Sequence, residues 1–160
     1  MSLHPPSVAA ATDVVVFEIE SRRLGVESDA VRELVRAVAV TPLPGAPAGV
    51  DGVIDVRGTL VPVFDLRPRL GLAPSPLRAS EQLVLCQAGT IGVVALRADR
   101  ILEIRPVTER LPVPAASSTD ALATAIVRLP DGVVVLCDLQ AILQADAAAQ
   151  LAQALAEVAR

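Results

Sequence analysis

Apolar residues along this chain come in short runs broken by Gly, Pro and Asp, the rhythm of brief buried strands rather than long helices. Val14 to Ile19 (VVVFEI) reads as a strand and Arg22 to Glu27 (RRLGVE) as its returning partner. Ser28-Asp29 is placed to cap a short helix or turn through AVRELVR. Three prolines and two glycines between Thr41 and Val50 predict a fixed irregular loop. Two strands follow, Val53 to Val56 and Thr59 to Phe64, parted by Arg57-Gly58. Pro62 lacks a donor, which predicts an edge strand or a bulge. Asp65-Leu66 opens a helical turn that ends at Gly71.

Beyond the loop APSPLRASE lie strands over Gln82 to Gln87 and Gly89 to Arg97, with Ile101 to Ile104 extending the second or turning away. Residues 106–120 form another irregular connection. Ala123 to Leu129 and Val133 to Cys137 pair across Pro130-Asp131-Gly132, a direct hairpin signal. After Asp138 the chain is rich in Ala, Leu and Gln without a breaker, hence helical. Leu139, Ile142, Leu143, Leu151, Leu155 and Val158 supply its apolar face.

The two halves of this list match. Asp29 to Leu34 and Asp99 to Ile104 share D-x-φ-x-E-φ (φ apolar), 70 residues apart. Asp65 to Leu70 and Asp138 to Leu143 share D-L-x-x-x-L, 73 residues apart. Each second motif follows a glycine-containing hairpin. Matches in the same order at nearly equal offsets indicate an internal duplication, too long in period for a solenoid repeat. They suit two similar β-subdomains closed enough to hide their edges.

Composition narrows the chemistry. The chain is 52% hydrophobic but only 1% aromatic, so the core is aliphatic and offers no platform for stacking bases. Eighteen acids face fourteen positive side chains, all Arg, for a net charge of −4. No cationic stripe for a phosphate backbone arises, and nucleic acid is not an expected partner. His4 is the sole histidine and lies in the N-terminal tail, so Ser-His-Asp and Cys-His catalysis lack their base and Cys/His metal ligation lacks its ligands. Cys86 and Cys137 sit inside apolar runs and read as small buried hydrophobes. Asp65 and Asp138 could be a carboxylate pair, but bulky Leu follows each, and capping the turn that ends each strand explains both better. No catalytic residue, cofactor or metal is expected. With no stretch long enough to span a bilayer and no signal-peptide layout, the reading is a cytoplasmic protein without direct membrane insertion.

Binding chemistry is available at Arg57. A guanidinium at a turn between aliphatic strands is either a solvated hairpin tip or a planar fork of donors held beside an apolar surface, a combination enriched at interface hot spots. Val31 and Glu33, on the short amphipathic turn upstream, pose the same choice between solvation and the rim of a groove.

At these residues the chain resembles a known family. GVIDVRGTLVPVFDLRPRLGL, residues 52–72, is similar to the segment that marks CheW-like domains, G-V-I-N-L-R-G-x-x-x-P-V-x-D-L-R-x-x-L-G. DAVRELVRAVAVTPLPGAPAGVDG upstream, IGVVALRADRILEI downstream and the closing AIVRLPDGVVVLCDLQAIL resemble further family segments. The resemblance covers about residues 13–145 and implies an all-β fold: two pseudo-symmetric five-stranded β-barrels with short helical turns, then a C-terminal α-helix. The expected organisation is a flexible tail over 1–12, the CheW-like domain over 13–145 and the helix over 146–160.

The resemblance further implies a non-catalytic adaptor of bacterial chemosensory arrays. Its partners would be the cytoplasmic tip of a methyl-accepting chemoreceptor and the regulatory domain of a CheA-type histidine kinase. Carried onto this chain, the protein-binding residues are Val31, Glu33, Gly52, Arg57 and Gly58 in the first half, and Asp99 and Ile101 in the second. Asp55 replaces the family's usual Asn and adds a charge beside Arg57, where it is expected to hold the guanidinium. Arg97-Ala98 stands where the family favours apolar residues, and the Ala-rich helix runs past the family core. Asp55 and that helix motivate an alternative: a regulatory variant that occupies the kinase or receptor site without activating the kinase.

Overall fold

Alternating side chains and turn residues resolve, in a computed structural model describing residues 12–113, 122–142 and 145–158, into two sheets and one helix. The strands are β1 (Thr12–Ile19), β2 (Arg22–Glu27), β3 (Val31–Arg36), β4 (Val50–Val56), β5 (Thr59–Phe64), β6 (Gln82–Gln87), β7 (Val93–Ala98), β8 (Arg100–Val107), β9 (Leu111–Pro112), β10 (Ala123–Leu129) and β11 (Gly132–Cys137). Helix α1 spans Ala145–Val158. One sheet is ordered β8-β1-β2-β11-β10-β9, the other β3-β6-β7-β5-β4.

The expected five-stranded barrels are not present. Both sheets are open: one has six strands, and among the described residues no ladder joins β8 to β9 or β3 to β4. Across the gap between β3 and β4 runs only an isolated bridge, Thr41 to Val53, made by the loop that follows β3. Gly52 makes that bridge possible, because a Cβ there would lie 2.1 Å from the Thr41 carbonyl oxygen. What stands from the expectation is an all-β chain with short helical turns and a C-terminal helix.

Duplication is nevertheless built into the coordinates. Hairpin β1–β2 has its counterpart in β6–β7, strand β3 in β8, and hairpin β4–β5 in β10–β11, each in the same chain order. Even the irregularities repeat. The β3–β6 and β1–β8 ladders slip at Arg32 and Leu102, and the β4–β5 and β10–β11 ladders slip at Asp51 and Thr124. The first half's opening hairpin joins the second half's strands through the parallel pair β2–β11 (Leu24 with Val135, Gly25 with Leu136). The second half's hairpin joins the first half's strands through β5–β7 (Val63 with Ala95, Phe64 with Leu96). The halves therefore exchange hairpins. Parallel pairing needs a long crossover, and here the crossovers are residues 28–131 for β2–β11 and residues 65–92 for β5–β7.

Several local expectations are corrected. Val31–Arg36 is a strand, not a helical turn; only Ser28–Ala30 forms a 3-10 turn. Every second residue of the strand faces inward and the β-branched Val31 and Val35 suit a pleat, so pairing with β6 wins over the helical pattern. Residues 100–107 form their own strand, and Pro62 lies in β5, between β4 and β7. It is tolerated because the β5–β7 ladder engages only Val63 and Phe64. The helix begins later than the apolar pattern suggests: Leu139–Ala141 is a separate 3-10 turn and Val158 is exposed. Leu143 and the tail over 1–11 lie outside the described residues.

The largest core cluster lies between the sheets, gathering Val15, Phe17, Leu24 and Val26 from one, Val53, Phe64, Val84 and Leu96 from the other, and Leu151 and Ala154 from α1. At its margin two guanidiniums are enclosed, Arg67 at 0% and Arg97 at 1% exposure. Arg97 grips the buried Glu81 with two bonds of 3.0 Å and reaches Asp51 at 2.7 Å and the Ser75 carbonyl at 2.8 Å. Arg97→Ala removes both guanidinium bonds of the buried Glu81, leaving it the Arg78 N–H at 2.9 Å and the more distant Arg67 and Arg78 side chains, and is expected to cost about 3–5 kcal/mol in chemical denaturation at neutral pH. A loss within about 1 kcal/mol, the range of surface pairs, would contradict that assignment.

Candidate functional site

The Arg57-Gly58 turn joins β4 to β5 in two residues, both with left-handed backbone, φ +50° at Arg57 and +87° at Gly58. Positive φ at both positions matches the right-handed twist of the strands it connects. Glycine takes that conformation freely; Arg bears a strain of roughly 1–2 kcal/mol. Such strain is retained where a side chain is needed in a particular place. Here the guanidinium is three-quarters exposed and lies against Glu33 of β3, with Nη2 donating to Oε2 at 2.6 Å and Nη1 to Oε1 at 3.2 Å.

Glu33 directly follows a bulge in β3. Val31 pairs with Cys86 and Glu33 with Leu85, so Arg32 is the extra residue and the strand turns locally. The fork therefore spans the gap between β3 and the β4–β5 turn that no ladder closes. Its hydrogen bond from Arg57 holds the Glu33 carboxyl below the ordinary glutamate range.

Asp55 does not hold Arg57. Its Oδ1 accepts the Gly58 N–H at 2.7 Å, fastening the turn from within. Val31, half-buried, packs on the core at the start of the same strand. Gly52 is buried beneath the Thr41 bridge, where its lack of a side chain is a packing requirement. Of the first-half residues, Glu33, Asp55, Arg57 and Gly58 meet at the fork, whereas Gly52 sits further down β4 at the Thr41 bridge.

The second half is built differently. Asp99 turns inward: one oxygen accepts from Arg67 and the other from the Glu20 N–H at 2.7 Å. Ile101 is half-buried on the core, and its N–H donates to Gln82 Oε1 at 2.8 Å. The hairpin tip equivalent to Arg57-Gly58 is Pro130-Asp131, whose carboxylate meets Arg23 at 3.1 Å. Glu103, matching Glu33, pairs with Arg105 on its own strand at 3.3 Å. Among the described residues, only the first half carries a cationic fork at its tip.

Sequence reading missed the neighbours of that fork. An apolar groove of about 750 Å³ runs between the turn and α1, lined by Gly58, Thr59, Leu60 and Ile91 on one side and Leu151 and Leu155 on the other. The edge strands also expose aliphatic side chains at matching positions, Leu34 at 41% and Ile104 at 59%. These sit on the last φ of the repeated D-x-φ-x-E-φ motif, a signal that marked the duplication but not the exposure. Burial pushes both Cys86 and Cys137 thiols up to about 12, so neither is a ready nucleophile. Asp65 and Asp138 each accept a backbone N–H two residues on, at 3.0 Å, as capping requires.

The CheW-like domain family matches residues 13–147. A probable chemotaxis protein CheW of Rhizobium etli is 30% identical over 134 residues, 81% of this chain and 86% of that one. Protein FrzA of Myxococcus xanthus is 36% identical over 100 residues, 61% of this chain and 62% of its own. The crystal structure of scaffolding protein TtCheW from Thermoanaerobacter tengcongensis superposes with a TM-score of 0.76 at 23% identity, covering 86% of this chain and 96% of that chain.

The pair makes a titration signature. Because Arg57 depresses the Glu33 value, the interaction is fully present above the ordinary glutamate range and is lost as pH falls through the lowered value. Carbon-13 NMR of the Glu33 carboxyl should show a midpoint below that of the unfolded chain, returning to the ordinary range in Arg57→Ala. An unchanged midpoint in the variant would mean that the fork does not persist in solution.

Proposed function

The chain belongs to the CheW-like domain family, and from that membership we propose that it is a non-catalytic chemosensory adaptor coupling chemoreceptors to a CheA-type histidine kinase in the cytoplasm. The observation that carries the reading is the Arg57–Glu33 fork, an exposed ion pair on a strained turn within the segment most typical of the family. Val53 and Ile54 anchor the turn from one strand, Val61 and Val63 from the other, all buried. A guanidinium on so stiff a base loses little freedom when a partner covers it. Exposed ion pairs contribute only about 0–1 kcal/mol to stability, so the fork serves orientation more than folding.

In this reading the receptor lies over Val31, Glu33, Arg57 and Gly58, with Asp55 holding the turn in shape and the buried Gly52 admitting the Thr41 bridge rather than touching the partner. Asp99 and Ile101 support the second half from inside, through Arg67 and the core, rather than as exposed contacts. The edge strands, with Leu34 and Ile104 exposed among charged neighbours, offer the mixed apolar and polar surface that protein interfaces use. No helix of the described residues is long and apolar enough to cross a membrane. Of the two features that motivate a regulatory variant blocking the kinase or receptor site, Asp55 is engaged with Gly58, which leaves α1, beside the turn across the apolar groove, as the one that favours it.

Arg57→Ala is expected to weaken binding to a receptor cytoplasmic fragment by about 1–3 kcal/mol while leaving the melting transition in place. Isothermal titration alongside calorimetric melting reads both. Full affinity in the folded variant would remove Arg57 from the contact.

A further inference from the structure

The duplication supplies an internal control for one feature. Asp65 and Asp138 close equivalent strands, and each accepts the backbone N–H two residues on. In the second half that residue is Gln140, which is exposed; in the first it is Arg67, wholly enclosed. The turn can therefore be made without a buried cation. Burying a guanidinium carries a desolvation penalty, so the groups it meets indicate what it serves.

Those groups come from both sheets. Nε donates to Glu20 Oε2 at 3.2 Å, in the β1–β2 turn of the six-stranded sheet. Nη1 lies 3.4 Å from Asp65 Oδ1 at the end of β5, in the five-stranded sheet. Nη2 donates to Asp99, the single residue between β7 and β8 where the chain passes from one sheet to the other. Asp99 then accepts the Glu20 N–H at 2.7 Å and donates its own N–H to the Glu18 carbonyl at 2.8 Å. The turn so gripped is itself strained. Glu20 and Ser21 have φ of +46° and +68° with no glycine, whereas the matching β6–β7 turn places Gly89 and Gly92 at its positive-φ positions.

We propose that Arg67 is a positioning residue: through Glu20 and Asp99 it sets the angle of the six-stranded sheet against the five-stranded one, and this setting is what links receptor occupancy to kinase stimulation. The second clause rests on the adaptor function. Apolar contact across the seam is non-directional and permits sliding. A planar fork with partners on both sides does not. Pairwise locks at a seam are a physical means of transmitting a setting between two surfaces.

Two variants test it. Arg67→Gln copies the residue of the second half; Glu20→Asn keeps a residue that accepts left-handed backbone but is too short to reach Arg67, and serves if the first does not fold. Spin labels at Thr59→Cys and Arg128→Cys, one exposed position per sheet, report the inter-sheet distance by double electron–electron resonance. The expected result is a narrow distribution in the parent, clearly broadened in either variant. Receptor-dependent kinase stimulation should fall about tenfold while affinity for a receptor fragment and for the kinase, each measured alone, stays within about threefold. A folded variant with an unbroadened distribution, or with full stimulation, overturns the proposal. A parent protein that fails to stimulate the kinase counts against the adaptor function instead, and the spin-label distances still decide the positioning role.

Discussion

Neither half of this chain can complete its sheet alone. The β1–β2 hairpin is covalently part of the first half but hydrogen-bonded into the second, and β6–β7 makes the reverse exchange. Each parallel junction is only two residue pairs long, but the antiparallel β1–β8 and β3–β6 ladders, with seven and five pairs, also join one half to the other. Those ladders and the aliphatic cluster that forms between the sheets once the hairpins have crossed together stabilise the exchange. With 1% aromatic content, that cluster depends on many small contacts among Val, Leu, Ile and Ala rather than a few large anchors.

The site follows from this constraint. Open sheets leave edges, and edges invite pairing with other chains unless they are managed. At the gap between β3 and β4 the management is a loop bridge at Thr41, a glycine at position 52 that admits it, and the Arg57–Glu33 fork over the top. A surface that would otherwise be an unspecific strand edge becomes one with a fixed charge pair beside an apolar groove. Recognition without catalysis needs little more: shape, an oriented polar group and a base that does not move.

Much of this was legible in the sequence. Short aliphatic runs and turn residues predicted eight of the eleven strands, all but β3, β8 and β9, and the two motifs at 70 and 73 residues anticipated the duplication that the paired bulges now display. Arg57 stood out because a guanidinium interrupted an apolar rhythm. The same interruption at Arg67 and Arg97 was harder to read, because an Arg beside a strand end is usually solvated and nothing local reveals that Glu20, Glu81 and Asp99 converge on it from distant positions. Closure failed for a related reason: alternation tells which face of a strand is buried but not whether the last strand meets the first. Val31–Arg36 was misread as a turn because its apolar spacing fits either period, and only the partner strand β6 decides between them.

The interlock makes one demand that separates it from two independent lobes. Native-state hydrogen exchange through increasing denaturant should show the amides of the β2–β11 ladder and those of the β5–β7 ladder merging into one isotherm, at the free energy of global unfolding. Two isotherms at different free energies, one for each sheet, would mean that the halves open separately, and the exchanged hairpins would not be what holds the molecule together.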